Sequence, residues 1–442
     1  MIFPGSAIRS PRRDGNMEKV LAVGILVLVY ALFVSERVHR TTAVLLGIVL
    51  VLGLGLLTTE EAVAAVNWEA LGLVFGMFIL VAALSASGFF RWVGLHALRA
   101  ARFRPVRIFA LFCGLAGLLA AFMDSITVLV FMASLAVEVC AILRLHPAPF
   151  LLGLITSANI GGSATMVGDP PNVVIGTALG FGFLDFLANT GPIAVVAFLV
   201  NVGCFWLLHR KADVMRGDSV GEGIAREHRE LDPFAAVVDV RLMRVALVVF
   251  AFTVTLLVIH QLLDVLVAFV ALLGATLVLI LGGRDMPELV EKIDWHTLLF
   301  LGGLFVIVGS LEKTGVLRDA ATALGGLAGG NFGLLLTVLL WTSMFLSAVL
   351  DNIPFTAAMV PIIREISTAQ GTPIDPLAWT LALGADIGGN ATPIGASANV
   401  VGLAVAEKSG IHVSWSEYMR TAIPATVVVI AVVNLLIVLR YA

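Results

Sequence analysis

Four aspartates, Asp124, Asp169, Asp351 and Asp386, lie where the chain is otherwise apolar. A carboxylate at membrane depth is expensive, and such a group marks an ion or proton pathway by default. Removal from water favours the neutral form of a carboxyl group, while a bound cation favours the charged form. That antagonism is the chemical basis for exchanging protons against a cation or a substrate. The local alternative is that each aspartate caps a half-helix. Asp169 precedes Pro170 and Pro171 and also suits an N-cap. Asp124 and Asp351 occupy matching positions, which favours function over capping.

The groups around these acids could form a polar cavity. Asn159, Asn172, Asn390 and Asn399 carry amides that donate and accept, with Asn352 beside Asp351. Ser125, Thr127, Ser163, Thr165, Thr392 and Ser397 carry hydroxyls. Gly161, Gly162, Gly388 and Gly389 are read as breaks that let backbone approach a ligand. A helix broken at mid-membrane leaves N–H groups at one half-helix start and C=O groups at the other half-helix end. The first favour oxygen or negative charge, and the second favour cations.

These residues belong to a sentence written twice. Residues 159–174 read Asn-Ile-Gly-Gly-Ser-Ala-Thr-Met-Val-Gly-Asp-Pro-Pro-Asn-Val-Val. Residues 386–401 read Asp-Ile-Gly-Gly-Asn-Ala-Thr-Pro-Ile-Gly-Ala-Ser-Ala-Asn-Val-Val, with nine of sixteen positions identical at an offset of 227. The same offset of 227 pairs Gly47 with Gly274, Trp68 with Trp295, Gly76 with Gly303, Gly88 with Gly315 and Asp124 with Asp351. Apolar low complexity does not keep tryptophan, aspartate and glycine in one register, so the chain is a duplicated half. Broken segments at matching places in two halves point to a transporter's binding site.

Composition agrees. The 442 residues are 60% hydrophobic and 13% charged, with a mean hydropathy of +1.04, whereas soluble proteins carry about 25% charged residues. The chain reads as an all-α polytopic membrane protein. Its net charge of −3 says little about partners, and no basic face suggests nucleic acid. Cys113, Cys140 and Cys204 lie in separate apolar segments and read as buried small hydrophobes.

A span needs about 20 apolar residues. Spans are expected at 20–35, 43–58, 70–88, 148–178 and 190–208, with partners at 243–260, 266–283, 297–314, 375–408 and 421–440. The segments 148–178 and 375–408 are the broken helices. Two further apolar stretches, 106–143 and 331–367, are interrupted by Asp124-Ser125-Ile126-Thr127 and Asp351-Asn352-Ile353-Pro354. We read each as a re-entrant hairpin, because non-helical backbone is tolerated at membrane depth only where it lines a cavity. The division is then an N-terminal tail 1–19, a first repeat 20–208, a linker 209–242 and a second repeat 243–442.

Arg91, Arg99, Arg102, Arg104 and Arg107 mark one side as cytoplasmic, and the loop holding Glu60, Glu61 and Glu69 as external. Segment 89–104 reads as an amphipathic surface helix. Loop 36–40, with Arg37 and Arg40, and the linker then fall inside. Five spans per repeat is odd, so the second half enters from the opposite side and the repeats are inverted. Both termini fall outside. Arg9, Arg12 and Arg13 conflict with this, and Met17 begins a cleaner sequence, so residues 1–16 are either a misassigned start or a tail. Glu138 either faces a cavity or pairs with Arg144.

At these motifs the chain resembles the ArsB/NhaD permeases of the ion transporter superfamily, in the branch that contains the melanosomal P protein. The resemblance runs from the first span to the last. It implies a scaffold of outer spans and a transport domain of two hairpins and two broken helices. It also implies secondary transport coupled to protons or sodium, with no other cofactor, in the inner membrane, as a homodimer. In arsenite permeases a soluble ATPase is a further partner. Related dicarboxylate symporters carry Ser-Asn-Thr at the hairpin tips; the added Asp124 and Asp351 would repel a dicarboxylate. The resemblance favours proton-coupled export of arsenite or antimonite, with a sodium/proton antiporter as the alternative. An anion symporter or channel ranks lower. The chain is not expected to be an enzyme: Tyr30, Tyr418 and Tyr441 are never followed by aspartate, and Gly-x-Ser-Gly is absent, which argues against two intramembrane protease classes.

Overall fold

The computed structural model describes residues 15–34, 38–102, 104–143, 145–209, 233–283, 289–291 and 293–442. Most of the expected tail and linker, Arg37 and Arg144 lie outside these residues. The described residues form nineteen α-helices and no strand. In the first half these are α1 (Gly15–Val34), α2 (Arg40–Gly53), α3 (Thr59–Ala65), α4 (Trp68–Ala86), α5 (Phe89–Ala100), α6 (Pro105–Ala120), α7 (Ser125–Leu143), α8 (Pro147–Gly162), α9 (Pro170–Leu179) and α10 (Phe183–His209). In the second they are α11 (Val240–Leu263), α12 (Val267–Gly282), α13 (Trp295–Thr314), α14 (Val316–Leu327), α15 (Phe332–Ser347), α16 (Asn352–Gln370), α17 (Ile374–Gly388), α18 (Ser397–Lys408) and α19 (Trp415–Tyr441).

The repeat is written into the helix starts. Arg40 and Val267, Trp68 and Trp295, Pro105 and Phe332, Ser125 and Asn352, and Pro170 and Ser397 each begin matching helices at the offset of 227. The caps match too. Asn67 accepts from Ala70 N at the start of α4, and Asp294 accepts from Thr297 N at the start of α13. Such a cap satisfies one of the four N–H groups that a helix start leaves unpaired.

Contacts establish that the halves are inverted. On α4, Leu71 lies against Gly302, and the Phe75 ring meets Trp295 at 5.8 Å. Rising numbers on α4 therefore meet falling numbers on α13, so these matched helices run antiparallel. By contrast Gly72 meets Ala268 and Gly76 meets Ala271, so α4 and α12 run parallel across the halves.

Both hairpin tips stop at mid-depth. Asp124 lies in a pocket with Leu73, Met77 and Val81 of α4, whose midpoint is Met77. Pro354 lies opposite Phe300 and Leu304, near the middle of α13. Depth and pseudo-symmetry therefore agree on a re-entrant hairpin in each half. Among the described residues, seven helices are long and apolar enough to cross a membrane. The expected span at 43–58 is shorter than anticipated: α2 has 14 residues, or about 21 Å of rise, and ends at Gly53. The amphipathic helix expected at 89–104 is α5, with Phe90, Gly94 and Leu98 buried and Arg91 and Arg99 exposed.

The α4–α12 contact depends on a missing side chain. A Cβ on Gly76 would stand 2.5 Å from the Ala271 carbonyl carbon and 2.6 Å from its oxygen. Backbone cannot move aside as a side chain can. Gly76→Ala is expected to lower stability by about 1–3 kcal/mol, the usual cost of overpacking. Gly24→Ala, with nothing within 4 Å, is expected to be neutral or slightly stabilising; thermal unfolding of both variants in detergent checks the contrast.

Candidate functional site

In each half a helix breaks where it meets the hairpin tip. α8 ends at Gly162 and α9 starts at Pro170; α17 ends at Gly388 and α18 starts at Ser397. Asn172 Nδ2 crosses the first break, donating to Gly162 O and Thr165 O at 3.0 Å each. Asn399 Nδ2 does the same in the second, to Gly389 O at 2.7 Å and Thr392 O at 2.8 Å. Thr165 donates to Ala121 O and Thr392 to Ala348 O, tying each break to its hairpin.

The structure brings most of the candidate side chains together. Ser125 Oγ donates to Asp169 Oδ1 at 2.6 Å. Asn352 reaches across from the other tip and donates at 3.3 Å to both Asp169 Oδ2 and Asp386 Oδ1. Asn159 Nδ2 donates at 2.8 Å to both Asn390 Oδ1 and Asn399 Oδ1. The result is one buried polar chain, Ser125–Asp169–Asn352–Asp386, beside an amide cluster from both halves. Asp169 takes the N-cap position of α9 without a capping bond; both its oxygens serve the tips instead.

The two tip aspartates differ. Asp124 Oδ2 accepts from Thr127 N and Thr127 Oγ1 at 3.0 Å each, and its Oδ1 has no partner. Asp351 Oδ2 accepts from Ser397 Oγ at 2.7 Å and lies 3.8 Å from an Arg40 guanidinium nitrogen. Arg40 also donates to Ser397 Oγ and, at 3.2 Å, to Thr297 Oγ1, and its guanidinium lies over the Phe300 ring. Asp351 has φ +46°, outside the ordinary regions for a non-glycine residue. Such backbone costs about 1–3 kcal/mol and persists only where surroundings hold it; Arg40 and Ser397 are those surroundings.

Four expectations change. Arg40, expected in a cytoplasmic loop, begins α2 and reaches the second tip. Its charge gave no signal of this, although the offset of 227 pairs it with Val267 and so flags a break in symmetry. Gly161 and Gly388 do not open space for a ligand: a Cβ on Gly388 would stand 2.5 Å from Met344 Cα, and Gly161 packs equally close to Gly117. They let α8 and α17 pack on α6 and α15; Gly389 likewise faces the returning backbone at Gly395, and Gly162 lies against the Asp169 side chain and Gly168 O. Glu138 accepts from Arg91 at 3.2 Å, with Arg144 outside the described residues. Ser163 bonds only its own helix, at Ile160 O.

The cavities beside the tips measure about 20 Å³ at Asp124 and about 10 Å³ at Arg40. A single water needs about 10–15 Å³, so neither admits a larger solute in this conformation. A larger cavity of about 340 Å³ opens where α9 and α11 end and α4 and α12 begin, and Met166 of the first break lines it.

Removing one member of a buried charge pair strands the other. Arg40→Gln is expected to cost about 3 kcal/mol of stability. Adding Asp351→Asn should return most of that loss, and equal destabilisation in the single and double variants would show that the two side chains do not interact.

Comparison with known proteins places this geometry. The sequence pattern of the citrate transporter family matches residues 30–384. An uncharacterized transporter of Mycobacterium tuberculosis is 35% identical over 96% of this chain and 98% of its own. The human P protein is 30% identical over 94% of this chain and 59% of its own, which agrees with the expected likeness to the P protein, while the family matched is the citrate transporters rather than the ArsB/NhaD permeases. The crystal structure of the Alcanivorax borkumensis YdaH transporter, of unusual topology, shares the fold at a TM-score of 0.58, 13% identity and 87% coverage of this chain, 89% of that one. The chain belongs to the citrate transporter family and is a multi-pass membrane transporter.

Proposed function

We propose proton-coupled secondary transport by alternating access, with arsenite or antimonite exported as the neutral trihydroxide across the inner membrane. The observation that carries this reading is the charge balance of the buried site. Asp169 and Asp386 share Asn352, Asp124 and Asp351 hold the two tips, and among the described residues the one guanidinium that reaches these acids is already paired with Asp351. A neutral solute rich in hydroxyls suits amides and serines. A free tricarboxylate such as citrate, the solute in the family's name, would meet the repulsion of these acids. Asp124, Asp169, Asp351 and Asp386 supply proton exchange. Ser125, Asn352, Asn159 and Asn390 supply hydrogen bonds, with the Arg-rich segment 91–107 on the cytoplasmic face. A homodimer through the scaffold spans and a soluble ATPase partner complete the reading.

One observation favours sodium as a second reading. Asp124 Oδ1 is buried without a partner beside a cavity of about 20 Å³, room for one water or one small cation.

Everted vesicles with an acidified lumen separate these readings. Arsenite or antimonite should accumulate in the lumen while the pH gradient falls, and Asp351→Asn should slow this about a hundredfold, the scale of losing a placed proton-transfer group. Loss of the gradient driven by sodium without metalloid uptake would overturn the first reading, as would uptake of citrate in its place. Wild-type transport by folded Asp351→Asn would remove that residue from the mechanism.

A further inference from the structure

The pseudo-symmetry places two pairs side by side for comparison. Asn159 and Asn399 form one pair; at the offset of 227 their counterparts are Asp386 and Asn172. In the first pair the side chains are bonded to each other: Asn159 Nδ2 donates to Asn399 Oδ1, while Asn399 spends both its N–H groups on backbone carbonyls and Asn159 Oδ1 is left without a donor. In the second pair Asn172 likewise spends both N–H groups on Gly162 O and Thr165 O. Only its Oδ1 remains for Asp386, which the offset of 227 sets against Asn172 as Asn159 is set against Asn399. Asp386 Oδ1 accepts from Asn352, which leaves Oδ2. Asp386 Oδ2 and Asn172 Oδ1 are therefore both acceptors, both fully buried and both without a donor. Turning the Asn172 amide over would not help, because it would set an oxygen against two carbonyls.

We infer that this conformation holds a proton between Asp386 Oδ2 and Asn172 Oδ1, so that of the four exchanging acids Asp386 is the one that holds the coupling proton in this conformation. The inference rests on the coupled-transport reading and deepens it. A proton on Oδ2 turns two stranded acceptors into one hydrogen bond and reproduces the Asn159–Asn399 bond of the other half. Asp169, the other acid on Asn352, needs no such proton, since Ser125 and Asn352 serve its two oxygens. Two ionised carboxylates sharing one donor would repel each other, which also places the charge on Asp169 and the proton on Asp386. A metal ion fits poorly, since hard cations gather about six oxygens and the pair offers two.

The surrounding helices bring no competing charge. α15, α8 and α9 carry no titratable side chain between their ends. Arg364 and Glu365 on α16 lie three turns from Asn352, and Arg364 donates to Ala178 O. Asp185 on α10 is bonded to Gly182 N and Gln261, while Cys204 and His209 lie at its far end. On α19, Tyr418 is buried, Glu417 and Arg420 are exposed, and Arg440 and Tyr441 bond Asn189 at the far end; Asp375 of α17 is exposed three turns before Asp386. Asp169 is thus the nearest charge, with Asp351 and Arg40 beyond it.

Infrared difference spectroscopy of the purified protein in lipid, titrated with pH, tests this without any substrate. The carbonyl band of a protonated carboxylic acid should be present in wild type, absent in Asp386→Asn and retained in Asp169→Asn. Asp386→Asn should fold and melt at least as well as wild type, because an amide there donates to Asn172 as Asn159 does to Asn399. A band that survives Asp386→Asn, or that vanishes in Asp169→Asn instead, overturns the assignment. So does displacement of the band by sodium at fixed pH, or failure of Asp386→Asn to fold. If the band behaves as expected but vesicles move no metalloid, only the substrate reading fails.

Discussion

One asparagine side chain closes each break in the membrane-embedded backbone, and the rest of the site depends on it. A helix interrupted in hydrocarbon exposes carbonyls that no water can reach. Leaving one such acceptor unpaired costs about 1–3 kcal/mol. Asn172 and Asn399 each reach back across a break and satisfy two carbonyls, one where the first half-helix ends and one three residues further on. Thr165 and Thr392 then tie the same breaks to the hairpin tips. With the backbone satisfied by these four side chains, the polar residues between the half-helices are free to face one another. Close packing of Gly388 on Met344 holds the hairpins near enough for this to work.

The frame is symmetric, but its chemistry is not. Asp169 stands where the other half has Ala396, Asp386 where it has Asn159, and Arg40 where it has Val267. The serine partners are exchanged as well. In the first half the tip serine, Ser125, donates to the acid of the break; in the second the break serine, Ser397, donates to the acid of the tip. The repeat therefore builds one cavity, and its departures from symmetry distribute charge inside it. Two carboxylates, Asp169 and Asp386, share Asn352, Asp124 is held by Thr127 at its own tip, and Asp351 is paired with a guanidinium anchored on α2.

Much of this was legible in the sequence, because the offset of 227 carries information that periodicity does not. The repeat exposed the hairpin tips, the broken helices and the four aspartates, and an odd number of spans implied inversion. Partners were less legible. Ser125 with Asp169, and Asn352 between Asp169 and Asp386, meet only after two hairpins and two broken helices cross, a tertiary event that no local pattern records. Arg40 read as a loop residue, since a long side chain at a helix start can point outward to water or inward to an acid. Gly161 and Gly388 read as openings for a ligand, yet the same absence of a Cβ serves equally for packing on a neighbouring helix. Asp169 carried every sign of an N-cap; only the geometry shows its oxygens engaged elsewhere.

The central claim is that solute movement through this site is tied to proton movement in the opposite direction. Simultaneous recording of proton and metalloid flux in proteoliposomes of the purified protein tests it most directly, with the pH gradient set from outside. The account predicts opposite fluxes in a fixed ratio, which reverse together when the gradient is reversed. Metalloid flux that continues unchanged after the pH gradient is collapsed would contradict it.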